Sequence, residues 1–440
     1  MRILMKVFLV FVTIAMVLPS CTKDKCERTT TFTEMTPIYM DYEAFRGAVS
    51  IEAPKDMVQP GKIYLKGQYL FISEIREGVH IFDLTNPSNP QNIAFVNIPG
   101  NIDIAAKGDI LYADSFMDLV VLDISDPTNV SEVERVNDVF PVDWNRDIIY
   151  DEQGVVVDWK AEEVTREFDC SFDGRIDDGT ILWAETSAVD ASFDNSINLS
   201  QSSGEANFAT TNAPGGNTGA GVGGSFARFA INGNHLYLVD SWQMYPFDIS
   251  NTSNPVSSAA PFNIGWNVET IYPYKDNLFI GSQNGMFIYG LDNPDQPNYI
   301  SEFAHVRSCD PVVVDDNYAY VTLRNGNPTC GGFENQLDIV DISNLSNPFL
   351  VKSYEMSNPH GVGIDGNSLF VCDDTEGLKI FDAGNVQDID LVENYQDIQV
   401  TDVIPINYLD LLIAIGDQGF LIYDYKDMSD IKLMSEIRVD

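Results

Sequence analysis

A chain of 440 residues with 66 acidic and only 25 basic side chains carries a formal charge of −41 at pH 7. Such a surface repels phosphate backbones and anionic headgroups, which sets nucleic acid aside as a partner. The length exceeds what one ordinary core fills, so the chain is either several domains or an array of repeats.

The first segment reads as targeting. Arg2 and Lys6 precede an apolar run from Val7 to Leu18 interrupted by Thr13. That run is shorter than the ~20 residues a spanning helix needs and fits a secretory leader. Leu18-Pro19-Ser20-Cys21 resembles a bacterial lipobox. The resemblance implies that residues 1–20 are removed and that Cys21 is lipidated, anchoring the protein to a membrane through acyl chains. No Asp directly follows Cys21, which for such lipoproteins implies the outer membrane, facing the periplasm or the cell surface. Without Arg2 and Lys6 the mature chain has 23 basic against 66 acidic residues, a charge of −43. Residues 21–61 read as a lipid-anchored tether, with helical character only at Tyr39 to Val49.

From residue 62 one phrase recurs. Ile81-Phe82-Asp83-Leu84-Thr85-Asn86-Pro87 returns as Val121-Leu122-Asp123-Ile124-Ser125-Asp126-Pro127 and Pro246-Phe247-Asp248-Ile249-Ser250-Asn251. It returns again as Ile288-Tyr289-Gly290-Leu291-Asp292-Asn293-Pro294, Ile339-Val340-Asp341-Ile342-Ser343-Asn344, Ile380-Phe381-Asp382-Ala383 and Ile422-Tyr423-Asp424-Tyr425. Each unit reads as four short runs of β-branched and aromatic residues separated by Gly, Asn, Asp and Pro. The phrase itself is turn chemistry, with Asx and Ser/Thr side chains satisfying local backbone groups. Four strands every ~40 residues is the pattern of propeller blades. The fold expected is therefore all-β, a single β-propeller spanning 62–440. The phrases resemble the LVIVD repeat of bacterial and archaeal surface proteins over about 62–140 and 225–440. That resemblance implies an extracytoplasmic propeller and supplies no catalytic motif.

Seven units start near Lys62, Asn101, Phe226, Trp266, Ser308, Pro359 and Gln399. A long insertion at about 141–224 follows the second. Seven four-stranded blades are expected, with eight as the alternative if Gly154 to Trp159 is a worn third strand. The insertion leaves on the face where inner strands begin. Its Ser-, Asn-, Thr- and Gly-rich part, Asn195 to Gly224, reads as a solvent-filled excursion.

Eight or nine residues before the second strands, the units place Asp103, Glu269, Asp310, His360 and Asp402, with Arg228 in the third unit and Asp143 entering the insertion. Propeller symmetry gathers these at one mouth of the central channel. Converging carboxylates raise one another's pKa unless a cation or Arg228 neutralises them. Hard oxygen donors of this kind suit Ca²⁺ or Mg²⁺. The bland alternative is that these acids cap blade tops and accept backbone N–H bonds. Asp169, Asp173, Asp177 and Asp178 match no EF-hand spacing, and His80, His235 and His305 lack partners at metal-ligand spacing.

Beyond Cys21 the chain has Cys26, Cys170, Cys309, Cys330 and Cys372. Five is odd, so at least one thiol is unpaired or pairs with another molecule in an oxidising compartment. Cys309 and Cys330 bracket a Gly/Asn-rich loop in one repeat and are the first pair to expect. The function expected is a monomeric envelope binding module with a protein or glycan partner. The alternative is a metal-dependent hydrolase or lactonase-like enzyme with its site at the channel mouth.

Overall fold

The computed structural model describes residues 27–140, 150–169, 182–183, 209–210, 222–225, 227–305, 311–324, 335–416 and 419–439. It forms two compact units: residues 1–39 with 156–195, and 40–155 with 196–440.

The larger unit is a ring of seven antiparallel four-stranded meanders. Blade 1 comprises Pro60–Lys66, Tyr69–Glu74, Gly78–Asp83 and Gln91–Asn97. Blade 2 is Ile104–Lys107, Ile110–Ser115, Asp118–Asp123 and Ser131–Val136. Blade 3 is Phe229–Asn232, His235–Val239 and Gln243–Asp248, with a split outer strand, Val256–Ser257 and Phe262–Asn263. The inner strands of blades 4 to 7 are Val268–Tyr274, Val312–Val314, Val362–Asp365 and Asp402–Ile406. Their outer strands are Asn298–Ala304, Phe349–Glu355, Asp390–Tyr395 and Lys432–Arg438. The seven expected starts thus each open a blade.

Second and third strands read as near-continuous apolar runs because each blade is covered on both faces by its neighbours. Leu119 to Leu122 are all buried, whereas the outer strand Ser131–Val136 is largely exposed.

The recurring phrase has a structural cause. The Asp closing the third strand turns its Oδ1 back onto the backbone N–H two residues on, at 2.7 to 3.0 Å, in every blade except the fourth, where Gly290 stands instead. The carbonyl four residues after this position accepts a hydroxyl from the preceding blade. Tyr112 donates to Thr252, Tyr237 to Pro294, Ser301 to Leu345, Tyr354 to Val386, Tyr395 to Met428 and Ser435 to Pro87. One five-residue turn therefore ends the third strand and latches its blade to the one before.

No strand is exchanged where the ring closes, since blades 1 and 7 are each complete in sequence. The seam is held by the Ser435–Pro87 latch and by an apolar cluster including Ile63, Leu65, Ile72, Ile404, Ile413 and Ile422.

The stretch expected as a tether is partly folded onto the propeller. The helix Tyr42–Arg46 is capped by Asp41 and buries Phe45. Arg46 reaches the buried Asp118 of blade 2 at 2.8 Å. Ser50–Glu52 adds a strand outside blade 1, with Ile51 opposite Val96.

In the insertion, Gly154–Asp169 is a 16-residue strand in a separate sheet, ordered Tyr150–Asp151, Gly154–Asp169, Glu27–Met40, Leu182–Trp183. It pairs with an N-terminal strand rather than within a meander of consecutive strands, so it is no eighth blade. Arg166 and Glu34 form an ion pair at 2.6 Å within that unit.

Two other pieces of the insertion depart from a solvent-filled excursion. Val222–Ser225 pairs antiparallel with the inner strand of blade 1, Val222 opposite Leu65 and Gly223 opposite Tyr64. Ala209–Thr210 pairs with it in turn. The free edge of an inner strand faces the channel, so these strands lie in the channel, against the inner strands of blades 7 and 4.

Candidate functional site at the channel mouth

The acids and bases expected at the mouth separate into three groups. Asp143, Asp310, Cys21, Cys309 and Cys330 lie outside the described residues. Glu269 is the extra residue of a bulge in the blade 4 inner strand, between Val268 and Thr270. Asp103, Arg228, His360 and Asp402 are placed, and they engage other protein groups.

Asp103 is buried just before the inner strand of blade 2. Its Oδ1 accepts the Ile104 N–H at 2.8 Å and its Oδ2 the Arg228 N–H at 2.7 Å. Burial raises its pKa, while Lys62, these two N–H groups and the Arg228 charge oppose the rise. Asp402 is buried at the start of the inner strand of blade 7. Its carboxylate lies against the backbone of blade 6: a Cβ at Gly361 would stand 2.0 Å from Oδ1.

Lys62, on the inner strand of blade 1, faces both acids. Burial lowers its pKa to about 8, with Asp103 and Asp402 pulling it up and Arg228 pushing it down. Part of its side chain stays accessible although the ring surrounds the ammonium. The mouth is thus an alternating set of two carboxylates and two cations contributed by blades 7, 1, 2 and 3. Lys62 stands eight residues before Leu70, the spacing that singles out the other members, so sequence register could have found it.

His360 belongs to a different pairing. Its Nδ1 accepts from Arg324 Nη1 at 2.6 Å, and its carbonyl accepts the Thr322 hydroxyl at 2.6 Å. Both Arg324 and His360 are buried, so blade 5 supplies a guanidinium to blade 6.

A second set of buried acids went unnoticed in the sequence because it sits at the far end of the second strands. Glu74 accepts the N–H groups of Val58 and Gln59 and pairs with His80 at 3.0 Å. Asp114 accepts those of Ile102 and Asp103, and Asp373 those of Ser357 and Asn358. These acids clamp the chain as it enters the inner strands of blades 1, 2 and 6, which satisfies donors that the ladder leaves open. Among the described residues, no three His, Cys, Asp or Glu side chains converge to hold a metal ion. Cys372 is a free, buried thiol, pushed well up by burial and by nearby Asp402 and Asp373.

Seven four-stranded meanders around a channel define the chain as a seven-bladed β-propeller. The family described as LVIVD repeat matches residues 60–97, 101–138, 223–259 and 307–356, which are blades 1, 2, 3 and 5. Four of the seven blades thus carry the LVIVD repeat. The unmatched blades are those whose phrase departs furthest, with Gly290, Ala383 and Tyr425. Among curated proteins, none matches the chain. Similar solved structures include a chain of the mitotic checkpoint complex, 7% identical over 92% of this chain and 94% of that one, with a TM-score of 0.49. The computationally designed Ika8 protein is 9% identical over 88% and 91%, at 0.48. Apo AztD from Citrobacter koseri is 11% identical over 75% and 69%, at 0.41.

Proposed function

We propose that this chain is a cell-envelope lipoprotein, anchored through Cys21 at the outer membrane, whose propeller is a binding module for a protein or small-molecule partner. The observation that carries the binding reading is the state of the channel mouth. Asp103 and Asp402 are compensated by Lys62 and Arg228, and part of the chain's own insertion lies in the channel. A hydrolase needs an open donor set and a place for substrate beside it. Here the described donors serve the frame.

Two measurements test the two halves. Growth of the native host with an alkyne fatty acid is expected to label the protein and to place it in the outer-membrane fraction, and Cys21→Ser is expected to abolish both. Unlabelled wild-type protein would overturn the anchor. Protein purified without chelator is expected to show no turnover of lactone or phosphoester substrates with Ca²⁺, Mg²⁺ or Mn²⁺. Metal-dependent turnover lost in Asp103→Asn would overturn the binding reading in favour of the hydrolase.

A further inference from the structure

The face where the inner strands end, opposite the Lys62 cluster, holds a cavity of about 700 Å³. Pockets for small organic molecules run from about 300 to 1,000 Å³, far more than a bare metal ion fills. Blades 4 to 7 build it from the turns that follow their inner strands. Its walls combine tyrosines, including Tyr274, Tyr318 and Tyr408, with the carboxylates Asp315, Asp316 and Asp365.

The carboxylates are held rigidly. Asp315 Oδ1 accepts the N–H groups of Asn317 and Tyr318, each at 2.8 Å, and Oδ2 accepts the Tyr320 hydroxyl at 2.8 Å. Asp365 Oδ1 accepts from Asn407 Nδ2 and Oδ2 from the Tyr425 hydroxyl, both at 2.8 Å. Asp316 accepts the Tyr274 hydroxyl and pairs with Lys275 at 2.6 Å. Among the described residues, Asp315 and Asp365 have no ion-pair partner. Burial, then the adjoining carboxylates, raises the pKa of the Tyr274 and Tyr425 hydroxyls, so they donate rather than ionise.

Tyr408 completes the arrangement. It sits on the single turn Asn407–Leu409 with 58% of its surface exposed, although most of an aromatic ring's surface is normally buried. An exposed ring lining the same cavity as two carboxylates that, among the described residues, have no ion-pair partner matches one ligand chemistry. A cation gains from the carboxylates by charge and from the ring face by its quadrupole, while an apolar body fills the remaining volume.

We propose that this pocket binds a small organic cation, a protonated amine on an apolar or aromatic body, with Asp315 and Asp365 taking the ammonium and Tyr408 covering it. The proposal deepens the binding reading above and names the ligand class of one face. The probe is phenethylammonium chloride, titrated calorimetrically into the full mature chain at 150 mM NaCl, with 2-phenylethanol as the neutral body of the same shape and CaCl₂ as the bare cation. Saturable one-to-one binding of the ammonium is expected, weakened about tenfold by Tyr408→Ala and by Asp365→Asn, a loss typical of a desolvated cation contact. Asp126→Asn, on a turn of blade 2, is expected to leave it unchanged. No saturable binding, equal binding of the alcohol, competition by CaCl₂ at equal concentration, or equal weakening by Asp126→Asn would each overturn the proposal. Asp365→Asn keeps the shape of the side chain, and the far-ultraviolet circular dichroism of each variant separates lost binding from lost fold. Metal-dependent turnover at the opposite mouth involves none of these residues, so the pocket and the binding reading fail separately.

Discussion

Lys62 shows how one side chain sets the state of a whole mouth. Two buried carboxylates from neighbouring blades are tolerable only with a cation between them, because an unpaired buried charge costs several kcal/mol. Lys62→Met is expected to destabilise the protein by about 2–3 kcal/mol in urea unfolding at pH 7, less than for a fully enclosed pair because the ammonium keeps some access to the channel. The pH dependence gives a sharper test. In the folded chain Lys62 titrates at about 8, and its ordinary value is 10.5. Between those values the unfolded chain binds more protons, so this group makes stability rise with pH across that window. The difference in stability between wild type and Lys62→Met is therefore expected to grow from pH 8 to pH 10. A constant difference would show that the ammonium is not desolvated. The acids of this site were legible from repeat register alone. Lys62 stands in that same register in blade 1 and was equally legible, but it is a base where converging carboxylates point to oxygen donors. The clamp acids Glu74, Asp114 and Asp373 escaped for another reason: their role is defined by backbone N–H groups of the preceding segment, which no side-chain pattern reports.

At the scale of the element, the third-strand turn is both the most readable and the least explained feature of the sequence. Its residues announce a turn, since Asp, Ser/Thr and Asn close local rings with the backbone. They do not announce that the carbonyl at the fifth position receives the neighbouring blade, because Tyr112 and Thr252 are 140 residues apart. The turn carboxylates are also expected to contribute to the acid limit of the fold. Hydrogen bonds from Ser125, Thr128, Ser250 and Ser429 hold Asp123, Asp126, Asp248 and Asp427 below their ordinary value. A carboxylate depressed in the folded state contributes stability above its unfolded pKa of 3.8 and loses it as pH falls through the folded value. Acid titration is thus expected to weaken these turns of blades 2, 3 and 7, and with them the latches at Thr252 and Met428. Asp248→Ala should lower stability at pH 6 while flattening its further decline from about pH 4 to pH 2, as read from urea midpoints. A parallel decline in wild type and variant would show that the turn carboxylates do not set the acid limit.

At the scale of the molecule, the seam between blades 7 and 1 is where the ring must close without a peptide bond between neighbours. The blade count and starts followed from the repeat spacing. The closure did not, because its parts come from opposite ends of the chain and from an insertion whose Gly- and Ser-rich composition signals no packing. Val222–Ser225 pairs with the inner strand of blade 1 and lies against that of blade 7, so the insertion spans the seam from within while Ser435 latches it from outside. Opening a seam frees chain entropy that six tethered interfaces cannot release, so the seventh is where local unfolding should begin. A proline at Gly223 removes a backbone donor and obstructs the ladder opposite Tyr64. Gly223→Pro is therefore expected to lower the thermal midpoint by a few degrees and to speed amide exchange in Pro60–Lys66 and Asp402–Ile406. Exchange in Tyr318–Leu323 of blade 5 should stay as slow as in wild type. If the three strands accelerate equally, the ring unfolds as one cooperative body and the inserted strand is a passenger. Acceleration confined to blades 1 and 7 would make the insertion the clasp of the propeller.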